Sequence, residues 1–64
     1  MSNRKLKARI IEQFGSQTDF ARLLGLSEDR LSKIIHGRIT PNDAERQQIS
    51  RRLGVKQVEL FPQN

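Results

Sequence analysis

A chain of 64 residues with twelve Lys and Arg against seven Asp and Glu, net charge +5, holds one small basic domain and excludes a second. It has no Cys and a single His, His36, which excludes disulfides, thiol chemistry and a multi-histidine metal site; no cofactor is expected, and a reducing, cytoplasmic setting is. Apolar runs such as Ile10-Ile11 and Ile34-Ile35 fall far short of the about 20 residues of a membrane span.

Only 34% of the residues are hydrophobic, but they recur at helical spacing, which argues for a folded domain rather than a disordered basic tail. The positive excess then calls for an anionic partner: nucleic acid, an anionic membrane surface or an acidic protein. Four glycines, Gly15, Gly25, Gly37 and Gly54, each follow an apolar-periodic segment, where a helix C-terminus favours a residue that tolerates the left-handed conformation. Four such stops imply at least four helices.

The first segment runs from about Arg4 to Phe14, with Leu6, Ile10, Ile11 and Phe14 forming one apolar stripe. Its basic residues Arg4, Lys5, Lys7 and Arg9 read as a solubilising helix face, a phosphate-contacting arm or a membrane-surface helix. The absence of Trp and the acid at Glu12 argue against the last, and Arg4 and Lys5 are taken as phosphate contacts. A second helix starts after Ser16, a capping residue with Asp19 three positions on, and carries Phe20, Ala21, Leu23 and Leu24. Ser27 caps a third, with Glu28 and Asp29 in the turn where the helix dipole favours acids and Leu31, Ile34 and Ile35 pointing inward. Asn42 and Glu45 form another capping pair, opening a segment through Ile49 and Leu53, with Pro41 preceding or beginning it. In the tail, Val58 and Phe61 either close the core or form a dimer patch, while Leu60 is expected inside. No alternating strand pattern occurs, so the fold class is all-α, a bundle of four or five short helices.

The most informative stretch is Gln17 to Arg38, QTDFARLLGLSEDRLSKIIHGR. Only Leu26 separates the stop at Gly25 from the cap at Ser27, so the two helices must cross steeply, with small Ala21 allowing close approach and Leu26, Leu31 and Ile34 filling the angle. That is the physical content of a helix-turn-helix, here over residues 17–37 of a single domain spanning 1–64. The chain also resembles the phage-repressor and Cro-like (XRE-type) helix-turn-helix regulators. The resemblance rests on Gln17, the FARLLGLS run, Leu31 and Ile34, Gly37 followed by Arg38, Pro41, and LGV…ELF from Leu53 to Phe61.

The resemblance implies a five-helix domain whose third helix enters the major groove of double-stranded DNA, bound as a homodimer to half-sites about one helical turn apart. Carried over position by position, Glu28, Asp29, Ser32 and Lys33 face the base edges, and Arg30 reaches either bases or phosphate. Gln17, with Thr18 beside it, meets a phosphate at the start of the second helix. Arg38, with His36 and Thr40, holds the backbone on the far side, although the place of His36 near a helix C-terminus also explains it structurally. Geometry agrees: with Leu31 and Ile34 inward, residues 28, 29, 32 and 33 share the opposite face.

Three departures stand out. Family members commonly carry a neutral polar residue where this chain has Glu28 and Asp29. Either acid accepts a hydrogen bond from cytosine N4, or both serve the helix dipole and pair with Arg30 or Lys33; the second reading suits Glu28, and Asp29 stays open. Where many relatives pair an Arg of the first helix with a Glu late in the third, this chain has Ile10 and Ile35, an exchange compatible with the fold. Arg46 stands where an apolar residue is more usual, its stem packed and its head at the surface.

The function expected is sequence-specific DNA binding by a transcriptional regulator, a repressor acting by occupying an operator, with no small-molecule ligand, no membrane partner and a place on the nucleoid. The chain reads equally as a complete small regulator or as the DNA-binding half of a longer repressor. The alternative is a protein-interaction module such as an antitoxin-like helix-turn-helix domain. An enzyme is not expected, because no nucleophile–base pair or Gly-rich phosphate loop is present.

Overall fold

The computed structural model describes residues 2–62, which form five α-helices and, among the described residues, no strand: α1 Arg4–Phe14, α2 Gln17–Leu24, α3 Glu28–Ile35, α4 Asp43–Leu53 and α5 Gln57–Leu60. The helix starts follow from side chains that accept hydrogen bonds from backbone N–H groups lacking an intrahelical partner. Ser16 Oγ accepts from the Asp19 N–H at 3.1 Å, and Ser27 Oγ from the Arg30 N–H at 3.1 Å. At α4 the reciprocal box forms: Asn42 Oδ1 accepts from the Glu45 N–H at 2.8 Å while Glu45 Oε1 accepts from the Asn42 N–H at 2.9 Å. Pro41 precedes this cap and does not enter the helix.

The turn between α2 and α3 shows why Gly25 stands where it does. Its φ of +75° lies in the left-handed region, and this lets the N–H groups of Gly25 and Leu26 donate to the carbonyls of Arg22 and Ala21 at 3.2 and 3.0 Å. A Cβ at Gly25 would meet nothing within 4 Å, so Gly25→Ala is expected to cost only backbone strain, about 1 kcal/mol. Urea unfolding of the two proteins tests this; a loss well beyond that range would mean that the turn is crowded after all.

The buried core draws on every helix: Leu6 and Ile10 from α1, Phe20, Ala21 and Leu24 from α2, Leu31, Ile34 and Ile35 from α3, Ile49 and Leu53 from α4, and Leu60 from α5, joined by Phe61. Ile10 and Ile35 are both fully buried, so the two isoleucines noted as a departure are part of the apolar core. Phe14 lies against Phe20 with ring centroids 4.8 Å apart in a tilted pair. Two apolar expectations need correction and an open one is decided. Ile11 and Leu23 are 44% and 43% exposed, because each follows or precedes a core position by one residue and helical geometry turns it about 100° away. Of the two residues read as closing the core or forming a dimer patch, Phe61 is only 7% exposed and packs in the core at the end of α5, whereas Val58 is 64% exposed.

Long-range polar contacts knit the ends of the chain together. The Asn3 N–H donates to the Ile35 carbonyl at 2.6 Å, and Asn3 Nδ2 donates to the Leu60 carbonyl at 2.7 Å. The same side chain caps α1, Oδ1 accepting from the Leu6 N–H at 3.0 Å. Gln13 Nε2 donates to the Leu53 carbonyl at 2.8 Å, satisfying a group at the C-terminal end of α4. Among the described residues no helix is long and apolar enough to cross a membrane.

Candidate nucleic-acid interface

With Leu31, Ile34 and Ile35 buried, the opposite face of α3 turns outward: Glu28, Asp29 and Lys33 are exposed and Ser32 is half-buried. The four residues expected to share one face therefore do so. Lys33 Nζ lies 3.1 Å from Asp29 Oδ2, a pair one turn apart and largely in solvent, so it orients the ammonium more than it stabilises the helix. Glu28 is held differently from either expected partner. Its Oε1 accepts a hydrogen bond from Thr18 Oγ1 at 2.8 Å, tying the first residue of α3 to the first turn of α2.

Besides Glu28, two other residues taken as DNA contacts, Thr18 and Arg30, are thus engaged within the protein. The Thr18 hydroxyl proton points to Glu28 rather than outward. Arg30, expected at bases or phosphate, sits instead on Glu45: Nε donates to Oε2 at 2.5 Å and Nη2 to Oε1 at 2.8 Å, a two-pronged, charge-assisted contact. The Glu45 side chain is 10% exposed and that of Arg30 41%. Hydrogen bonding from Arg30 holds the Glu45 carboxyl below its ordinary range against the opposing cost of burial, and the Asn42 N–H helps. Its hydrogen bond to Glu45 likewise raises the Arg30 guanidinium above its ordinary value. One carboxylate therefore completes the α4 cap and anchors the middle of α3.

The remaining candidates lie at the two ends of α3. Gln17 is the first residue of α2 and half-buried, beside the Thr18–Glu28 contact. At the other end His36 caps α3, exposed, and the N–H of Arg38 donates back to the Lys33 carbonyl at 2.9 Å, so the Arg38 side chain leaves from a backbone position set by the helix end. Thr40 is exposed in the same loop. Arg4 and Lys5 are exposed at the start of α1, which the Asn3–Ile35 hydrogen bond brings against the C-terminal end of α3. Arg46 matches its expectation: its side chain is 17% exposed, with Nη1 donating to the Pro41 carbonyl at 2.8 Å and Nη2 paired with Asp43. Sequence reasoning missed Asn3, although an Asn just before a helical segment is itself a start signal. It also read Glu45 only as a cap, since its distant partner leaves no local trace.

The arrangement is an exposed helix face of mixed charge, held at its first turn by Thr18, at its middle by Glu45 and at its last turn by the start of α1, with cations beyond that end. Residues 1–61 match the family described as "Protein of unknown function (DUF739)", and the chain belongs to that family. No curated protein and no solved structure matches the chain.

Proposed function

We propose that this DUF739 chain is a sequence-specific double-stranded DNA-binding regulator that lays α3 in the major groove. The supporting observation is the outward face of α3, where Glu28, Asp29, Ser32 and Lys33 stand together on a helix whose other side is buried. A helix presented in this way suits the width of the groove, about 12 Å. Lys33 is the residue that donates to guanine, and Asp29 accepts from cytosine N4 when Lys33 moves to its base. Glu28 keeps its structural bond to Thr18, and Arg30 acts as a positioning residue through Glu45. Gln17 and Arg38 flank the helix and meet phosphates on either side. The segment order that resembles the Cro-like regulators supports the same reading and extends it to a dimer on half-sites about 10 base pairs apart, with exposed Val58 at the contact and repression by occupancy.

Selection of bound duplexes from a random pool tests the reading, with an enriched, two-fold symmetric motif expected. Lys33→Ala should relax the preference at one position of each half-site, a change of about 1–3 kcal/mol, whereas Arg38→Ala should weaken all sequences alike and lower the salt slope by about 1. Recovery of no motif, or co-purification with a stable protein partner by a chain that binds no DNA, would reverse the assignment in favour of a protein-interaction module.

A further inference from the structure

The charge along the chain is uneven in a way that α3 does not use. Four of the twelve basic residues, Arg4, Lys5, Lys7 and Arg9, fall within the first nine positions with no acid among them. All four are exposed on α1, while Leu6 and Ile10 turn fully into the core. Arg4, Lys5, Ala8 and Arg9 line one shallow groove along the helix, closed at its far end by Glu12, which Arg9 meets at 3.5 Å. Arg4 and Lys5 also line an adjoining cleft of about 560 Å³ that reaches Gly37 and Thr40 in the loop after α3. Glu59 stands in that cleft as well and repels an anion from the α5 side, which leaves the path along α1. The Asn3–Ile35 hydrogen bond sets the beginning of this path at the end of α3.

We propose that the exposed face of α1, from Arg4 through Lys5 to Arg9, is a track for the phosphate backbone of the duplex as it leaves α3, extending contact beyond the bases that α3 reads. The inference rests on the DNA-binding reading of α3 and deepens it by assigning the flanking contact. Lys5 and Arg9 stand one helical turn apart, about 6 Å along α1, so the two cations lie along one groove where both can meet phosphates of the same strand. Ala8 between them keeps the groove floor low, so a backbone can approach. A bilayer is a poor occupant, because Leu6 and Ile10 are spent in the core and α1 has only half-exposed Ile11 to insert. On DNA, Arg9 exchanges a weak, exposed pair with Glu12 for a phosphate.

The test compares the full chain with its Arg4→Gln/Lys5→Gln/Arg9→Gln variant and with a charge-matched control, Arg51→Gln/Arg52→Gln/Lys56→Gln, whose three positions are also exposed. Affinity for a selected duplex is measured across salt concentrations, with helix content checked by circular dichroism and Lys5→Gln alone as a milder variant. The α1 variant is expected to lose about 2.7 from the salt slope, Lys5→Gln about 0.9, and the control markedly less, with the selected motif unchanged. An unchanged slope, or an equal loss in the control, overturns the track and leaves the α3 reading standing. Loss of binding to phosphatidylserine vesicles with DNA binding intact also overturns it. A wild-type chain that binds no duplex overturns both.

Discussion

Replacing Phe20 with alanine is expected to lower the stability of the domain by about 3–5 kcal/mol. Phe20 is fully buried, and its ring lies against Phe14 in a tilted pair with centroids 4.8 Å apart, so truncation removes a large apolar surface and leaves a cavity between α1 and α2. That is a large share of the whole stability of a 64-residue chain, about 3–10 kcal/mol at about 0.05–0.15 kcal/mol per residue. A markedly lowered urea midpoint at 25 °C is the expected result, followed by circular dichroism. Phe20→Leu, which conserves most of the volume, should cost much less; equal losses for the two variants would show that the ring, rather than the filled space, matters.

Glu45→Ala carries the second large effect, about 2 kcal/mol, because one substitution removes half of the α4 capping box and the partner of Arg30. The half-exposed guanidinium can regain water, so the loss stays below the several kcal/mol of a fully buried pair. A double-mutant cycle with Arg30→Ala should show a favourable coupling; additivity would mean that the pair contributes nothing beyond the cap. The pair also marks the acid limb of stability. Because the folded carboxyl is held below its ordinary value of 4.5, the folded chain binds this proton less readily than the unfolded one. The stabilisation is therefore complete above pH 4.5 and is lost as the pH falls through the lowered value. Glu45→Gln should flatten that part of the stability-versus-pH curve, and an unaltered curve would remove the pair from the acid response. On the DNA reading, the same variant loosens α3 and should weaken binding without changing which base Lys33 prefers.

Much of the architecture was legible in the sequence because it is local. The caps at Ser16, Ser27 and Asn42 and the stop at Gly25 depend on groups within five residues of one another, and each formed where its spacing indicated. The outward set on α3 was legible for the same reason, since three inward residues on a helix dictate which others face solvent. Reading a side chain's partner was harder. Arg30, an exposed-face cation by position, turns to a carboxylate fifteen residues away, and Thr18 turns to Glu28 ten residues away.

The sequence by itself therefore determined that the chain is all-helical, where α2, α3 and α4 begin and which face of α3 meets solvent, all consequences of hydrogen-bond registers and the 3.6-residue repeat, while it left the count at four or five. Only the tertiary structure decided that Phe61 closes the core while Val58 stays outside, that Asn3 binds the ends of α3 and α5, and that Glu45 serves a cap and an ion pair at once. These depend on which groups the packed helices bring together across the chain, and a burial or hydrogen bond formed at such separation has no spacing rule along the sequence to announce it.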